Sequence, residues 1–478
     1  MSRYDHLLIS LALLIGGYFI YGAIAERIFG TDPKRPTPAT TMADGIDYIA
    51  MPTWKVFLIQ FLNIAGMGPI FGAIMGIMFG PAALLWIVFG TIFAGAVHDF
   101  VGAMMSMREG GVSLPEIVGR ELGGGVKHVM RVFSLILLIL VGTVFVISPA
   151  EILASLTPES LDKIFWVGII LIYYILATML PIDKLIGNLY PVLGVLLLFM
   201  ALGLLGMMLF GGVEIPVGFG DGLQSRHGSG LAVFPMVCVS IACSAISGFH
   251  ATQSPLMARC LKNERYARPV FYGAMVTEGI VALVWACATI AFTGGYDGLN
   301  SYMADGGSAS TMVRDISLGW FGKVGGIIAI IGVIAAPISS GDTAFRSARL
   351  IIADLAGLSQ RKFLKRLALT LPLFAIAIGL MMVDYNILWR YFAWSNQTLA
   401  MFTLWAATVW LARRGRSYVI TLLPALFMTV VCTSYLLFAP EGFGLPQTIS
   451  VAVGVVVALG LLVVFARKRR GLAPTPEN

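Results

Sequence analysis

Apolar runs of about 20 residues, enough to cross a hydrocarbon layer roughly 30 Å thick as a helix, recur from one end of this chain to the other. In lipid a backbone must satisfy its own hydrogen bonds, which a helix does within its own segment. An all-α polytopic membrane protein is therefore expected. Composition supports this: 58% of the 478 residues are hydrophobic and 12% charged, against about 25% charged in an ordinary soluble domain. Soluble globular, disordered and collagen-like classes are excluded, because a chain this apolar cannot stay solvated.

About thirteen transmembrane helices can be counted by hydrophobic periodicity and length. They cover 5–28, 54–79, 81–106, 129–149, 163–180, 186–211, 231–257, 268–293, 320–345, 366–384, 386–411, 417–438 and 446–466. Ala23-Ile24-Ala25 resembles a signal-peptidase site, but the positive charges follow the first run instead of preceding it, so a retained helix is expected. Residues 31–53, with Pro33, Pro36 and Pro38, read as an aqueous linker, and Gly341 to Leu358 as a continuation of the ninth helix beyond the bilayer. The net charge of +7 falls in short clusters between spans, which is a topology signal and not a nucleic-acid surface. With alternate loops assigned to opposite sides, all but six of the 32 Lys and Arg collect on one side, the six being Arg3, Lys163, Arg226, Arg314, Lys323 and Arg390. Basic loops stay in the cytoplasm, which puts the N-terminus outside and the C-terminus inside. The five cysteines show no CxxC or Cys/His spacing, so neither a metal site nor a disulfide framework is expected.

Two Gly/Pro clusters lie near mid-span: Asn63-Ile64-Ala65-Gly66-Met67-Gly68-Pro69 in the second span, and Ser244-Ala245-Ile246-Ser247-Gly248-Phe249-His250, followed by Ser254-Pro255, in the seventh. Broken backbone at that depth is tolerated only where protein or a polar cavity supplies partners. The two helices are five apart and enter from opposite sides, the mark of an inverted repeat. The expected organisation is an extra helix (1–30), a cytoplasmic linker (31–53), a five-helix repeat (54–211), its inverted copy (231–411), two peripheral helices (417–466) and a basic cytoplasmic tail (467–478). Half-helix N-termini and free carbonyls at the midplane suit an anionic substrate group beside a cation. The plainer alternative is that these Gly and Pro residues serve close packing. The candidate substrate-binding residues are Asn63, Gly66, Met67, Gly68, Ser244, Ser247, Gly248, Phe249 and His250.

The segments 63–69, Ala94-Gly-Ala-Val-His-Asp-Phe100 and Ile241-Ala-Cys-Ser-Ala-Ile-Ser-Gly-Phe-His250 resemble signatures of the carbon starvation protein A (CstA) family. Asp342-Thr343-Ala344-Phe345-Arg346 and Ser395-Asn396-Gln397 add to the resemblance, which runs to about Arg414 in a short form with two further spans. It implies a bacterial inner-membrane transporter of the amino acid, polyamine and organocation superfamily, with a LeuT-type 5+5 inverted repeat, taking up peptides or pyruvate during carbon starvation.

Glu278 lies about ten residues into the eighth span, roughly 15 Å deep. A charge there costs about 3 kcal/mol on insertion scales and marks ion pathways; Glu278 reads either as a coupling residue or as a structural carboxyl bonded to a neighbouring helix. His250 reads as a substrate or proton-relay group, or as an interhelical hydrogen-bond partner. Ser339, Ser340, Asp342 and Thr343 close the ninth span with oxygens that suit a hard cation, with Na⁺ placed at Ser339, Ser340 and Asp342. Alternatively Asp342 pairs with Arg346 four residues on, and a proton replaces Na⁺. His98 and Asp99 are adjacent, hence about 100° apart on a helix, and are expected in a gating or pathway role and not as a compact dyad. Asn396, Gln397 and Gln60 read as pathway amides or as interhelical glue.

The expected function is a cation-coupled symporter working by alternating access, with H⁺ or Na⁺ as coupling ion, no other cofactor, the lipid bilayer as its surroundings and no nucleic-acid partner. GxxxxGK[ST] does not occur, which disfavours ATP drive, and scattered histidines disfavour an intramembrane enzyme. The alternatives are a sodium symporter for amino acids or other small organic acids, a passive channel, and a membrane sensor without flux.

Overall fold

A computed structural model describes residues 4–45, 48–179, 182–216, 222–358 and 363–469, so most of the basic tail lies outside the described residues. The regular secondary structure of the described residues is helical, apart from one isolated β-bridge between Met51 and Leu261. The helices are α1 (Asp5–Phe29), α2 (Thr53–Ala65), α3 (Gly68–Ile77), α4 (Ala82–Arg108), α5 (Leu114–Leu122), α6 (Gly124–Leu156), α7 (Lys163–Met179) and α8 (Ile182–Phe210). After the linker come α9 (Val233–Ser240), α10 (His250–Ala258), α11 (Glu264–Thr293), α12 (Tyr296–Ala304), α13 (Ala309–Ala356), α14 (Phe363–Leu380), α15 (Tyr385–Arg413), α16 (Val419–Phe438) and α17 (Gln447–Arg469).

Among the described residues, eight helices are long and apolar enough to cross a membrane, and nine if the bent pair α2 and α3 is one span. The chain is thus an all-helical polytopic membrane protein. The other four expected spans fall on helices outside that set. The α7 helix is 17 residues long, and α9 and α10 are separated by a break. Lys365 and Arg366 open α14, while α15 carries Arg390 and the run Ser395-Asn396-Gln397.

Helices apolar on all sides occupy the centre, as burial on every face requires. In α4, α6 and α11, 78% of the most apolar window is buried, against 22% in α1 and α17, which lie at the periphery. The α13 helix packs along α6 and α8, and α16 packs between α15 and α17. Trp405 Nε1 donates to Thr429 Oγ1 at 3.0 Å and Thr408 Oγ1 to Thr421 Oγ1 at 3.0 Å, joining α15 to α16 by hydrogen bonds at a depth where no water competes.

Both expected breaks are present. The α2 helix ends at Gly66, whose φ of 44° and ψ of −133° are closed to residues with a β-carbon, and α3 leaves at 53° to α2. Pro69 stands at the start of α3, where its missing N–H costs nothing. In the seventh span a short turn, Ala242–Ala245, is followed by extended Ile246 (φ −164°, ψ 137°), and helix resumes at His250. The two breaks touch: a β-carbon on Gly68 would lie 2.0 Å from Cys243 Cβ, so only hydrogen fits there.

Candidate functional site

The second break is held by α15. Asn396 Oδ1 accepts from the Phe249 amide at 2.7 Å and from Ser247 Oγ at 3.0 Å, and Asn396 O accepts from the Gly248 amide at 3.1 Å. One asparagine therefore supplies the partners that the unwound backbone cannot find within its own helix. Gln397 Nε2 donates to Cys238 O at 3.0 Å on α9. Ser244 Oγ reaches Gly68 O at 3.2 Å, Thr91 Oγ1 on α4 donates to Ser244 O at 2.8 Å, and Gln60 Nε2 on α2 donates to Ser254 Oγ at 3.1 Å on α10. Met67 and Phe249 are buried between these groups. The candidate binding residues of both clusters are thus brought into one place.

Beside the second break lies a chain of ionisable groups, each 1% exposed or less. Asp99 Oδ1 is 2.8 Å from His98 Nδ1, and Asp99 Oδ2 is 2.9 Å from His250 Nδ1. His250 Nε2 in turn is 3.4 Å from Glu278 Oε2, without a hydrogen bond between them, and both Glu278 oxygens and His98 Nε2 lack a hydrogen-bond partner. The expectation that His98 and Asp99 stay apart is corrected here. Their β-carbons diverge, but the polar atoms lie beyond them and swing toward each other, so that one carboxylate oxygen meets His98 and the other His250. A π-helical stretch, Trp86–Gly95, precedes the pair on α4.

Hydrogen-bond bookkeeping states what this chain can do. An ionised Asp99 only accepts, so each imidazole must donate Nδ1–H to it, which leaves Nε2 bare whenever the ring is neutral. His250 Nε2 and Glu278 Oε2 would then be two acceptors facing each other, and a proton on either atom turns that contact from repulsive to favourable.

A second polar cluster joins α13 to α2, α7 and α8. Ser340 Oγ lies 2.8 Å from Asn63 O and 3.4 Å from Leu62 O. Asp342 Oδ2 accepts from Tyr173 at 3.1 Å and from Tyr190 through a very short bond, while Asp342 Oδ1 and Asn63 Oδ1 have no hydrogen-bond partner. Arg346 turns to Ala177 O at 2.6 Å, not to Asp342. Ser339 and Thr343 hydroxyls bond to carbonyls of their own helix. Tyr173 and Tyr190 are the residues that sequence reasoning did not single out; a tyrosine inside an apolar span signals a bonded hydroxyl but not its partner.

The face that carries the basic loops is tied together by ionic and aromatic contacts. Arg108 on α4 bonds to Glu264 through Nε at 3.1 Å and Nη2 at 3.0 Å, and the Asp32 amide donates to the same carboxylate at 2.8 Å. Arg108 stands over the Phe29 ring, which stacks on Trp410, and Arg414 lies 3.8 Å over Trp410. At the other end of α6, a cavity of about 280 Å³ lined by Phe71, Met75, Glu151, Ser310, Tyr385 and Trp389 reaches α3.

Solved structures share this architecture. A Na⁺-coupled sialic acid symporter superposes with a TM-score of 0.57 at 13% identity, covering 98% of this chain and 97% of that one. An Eremococcus coleocola manganese transporter gives 0.56 at 12% identity, covering 90% and 99%, and MhsT, solved in complex with L-phenylalanine, gives 0.52 at 16% identity, covering 86% and 98%. The fold is that of LeuT-type transporters. A family profile described as "Carbon starvation protein CstA" matches residues 6–161 and 155–324, and the chain belongs to that family of membrane transporters. An "Uncharacterized membrane protein" of Haemophilus influenzae is 45% identical over 330 residues, 59% of this chain and 89% of that protein. The "Peptide transporter CstA" of Helicobacter pylori (strain J99) is 30% identical over 352 residues, 60% of this chain and 51% of that one. The "Pyruvate/proton symporter BtsT" of Escherichia coli K12 is 25% identical over 350 residues, 59% of this chain and 48% of that one. This chain therefore spans about half the length of those two transporters.

Proposed function

We propose that this protein is a proton-coupled secondary transporter that imports pyruvate or short peptides across the bacterial inner membrane by alternating access, in the service of growth under carbon starvation. The observation that carries the proton reading is the 3.4 Å approach of His250 Nε2 and Glu278 Oε2, both buried beside the second helix break and neither hydrogen-bonded. The substrate classes come from the relatives named as a peptide transporter and a pyruvate/proton symporter. In this reading Asn63, Gly66, Met67 and Gly68, together with Ser244 and Ser247 to His250, receive the substrate, Asp99 and Glu278 with the two histidines hold the proton, and Asn396 and Gln397 support the pathway. The chain is arranged as one helix, an inverted pair of five-helix repeats over 54–211 and 231–411, and two peripheral helices, thirteen spans in all. The basic loops, and with them the C-terminus, face the cytoplasm; on the opposite side Lys163, Arg314 and Arg390 are each paired with a carboxylate.

A second reading, sodium coupling, is favoured by one feature. Ser340 bridges to the Asn63 carbonyl, and the unpartnered oxygens Asn63 Oδ1 and Asp342 Oδ1 in that region suit a hard cation. Uptake of labelled pyruvate into proteoliposomes under separately imposed proton and sodium gradients, with di- and tripeptides as competitors, separates the readings. Accumulation driven by the proton gradient is expected. Accumulation that follows sodium alone would move the coupling to Asp342 and Ser340, and silence with both substrates would leave a sensor.

A further inference from the structure

On the basic face, a cavity of about 360 Å³ opens between segments distant in sequence. Tyr48 comes from the linker, Ser113, Glu116 and Arg120 from α5 and its approach, Arg131 from α6, Arg259 from the residue directly after α10, and Ile351 from α13, so one carboxylate faces three guanidiniums in the lining. Three guanidiniums around so small a space repel one another, and the protein's own carboxylates do not balance them. Arg120 is 2.6 Å from Glu109, which Arg414 shares at 3.3 Å; Arg131 is 3.2 Å from Glu116, which Lys127 shares at 2.6 Å. Arg259 meets no carboxylate among the described residues: its Nε donates to Gly111 O at 2.7 Å and its plane stands 5.1 Å over the Tyr48 ring. Each guanidinium carries five N–H donors, and each of these three uses one nitrogen in the contacts just given. Retention of basic loops on one side accounts for the sign of this charge, but not for the convergence of three arginines from three separate segments on one hollow.

We propose that this cavity binds a phosphate-bearing anion, either the headgroup of an anionic phospholipid or a soluble phosphorylated metabolite, and that the bound anion clamps the basic face shut. Planar guanidinium forks match phosphate oxygens bidentately, and the Ser113 hydroxyl adds a neutral donor. The clamp follows from where Arg259 sits. It ends α10, a helix of nine residues whose first residue is His250, so an anion shared by Arg259, Arg120 and Arg131 ties the far end of the second broken helix to α5 and α6.

Hydrogen exchange of the full chain in nanodiscs tests this, comparing neutral phosphatidylcholine alone, the same discs with inorganic phosphate, and discs containing phosphatidylglycerol. At ten times the dissociation constant, amides of residues 109–113 and 258–262 are expected to exchange about tenfold more slowly. The protection is expected to vanish in Arg259→Gln and to persist in Lys262→Gln, an exposed cation beside the cavity but not in its lining. Arg120→Gln, at a half-exposed position, serves if Arg259→Gln does not fold. Protection by phosphate identifies a soluble anion, and protection by phosphatidylglycerol alone identifies a lipid headgroup. Protection in neither condition, or equal protection in the variants and Lys262→Gln, overturns the proposal.

Discussion

Asp99 sits in a stretch, Val97-His98-Asp99, with no helix-breaking residue, yet it is the hub on which two imidazoles converge. Removing one partner of a buried hydrogen bond costs about 1–3 kcal/mol, because the other is left unsatisfied. Asp99→Asn offers one acceptor where two are used, so it is expected to destabilise the protein by an amount in that range, read as a fall in the thermal midpoint in detergent. Glu278→Gln is the opposite kind of change. Both Glu278 oxygens lack hydrogen bonds, so the amide is expected to fold normally and to retain substrate exchange while losing accumulation driven by the proton gradient. Normal gradient-driven accumulation by a correctly inserted Glu278→Gln would remove this residue from the coupling. At this scale, the intramembrane position of Glu278 and His250 was legible from their depth in apolar runs. Their partners were not, because His250 meets Asp99 from 151 residues away.

Among the elements, the two broken spans depend on each other. Gly68→Ala would drive a β-carbon to 2.0 Å from Cys243 Cβ, a contact no rotamer relieves. It is expected to cost several kcal/mol or abolish folding, whereas Gly68→Ala combined with Cys243→Gly is expected to recover much of that loss, as a double-mutant cycle for touching residues should. Gly248→Ala differs in kind, because its β-carbon would meet the Asn396 carbonyl oxygen at 2.3 Å and the Ala400 amide nitrogen at 2.6 Å, and no side-chain change can make room. Asn396→Ala leaves the Phe249 amide and Ser247 hydroxyl without an acceptor, at about 1–3 kcal/mol for each buried group. Faster hydrogen exchange over residues 246–250 is the expected sign. The breaks themselves were readable as Gly and Pro in apolar runs. That Asn396 holds one of them open was not, since an amide on a helix reads equally well as pathway or as glue.

For the whole molecule, the ionic seam on the basic face carries a further expectation. Glu264 is 1% exposed and holds Arg108 and the Asp32 amide, so Glu264→Gln should loosen the seam between the linker, α4 and the start of α11. Cys260, buried four residues earlier, is expected to react severalfold faster with a membrane-impermeant thiol reagent in inside-out vesicles, and to stay inert in right-side-out ones. Reaction from the other side would invert the proposed topology. What the sequence by itself determined is the class and the places of weakness: continuous apolar runs force helices in lipid, and glycine and proline mark where those helices can part. The tertiary structure alone decided which polar groups answer one another across the breaks. Pairs such as Asp99 with His250, Ser340 with Asn63 and Tyr190 with Asp342 join helices far apart in the chain, and no local periodicity encodes a partner that only packing brings within hydrogen-bond distance.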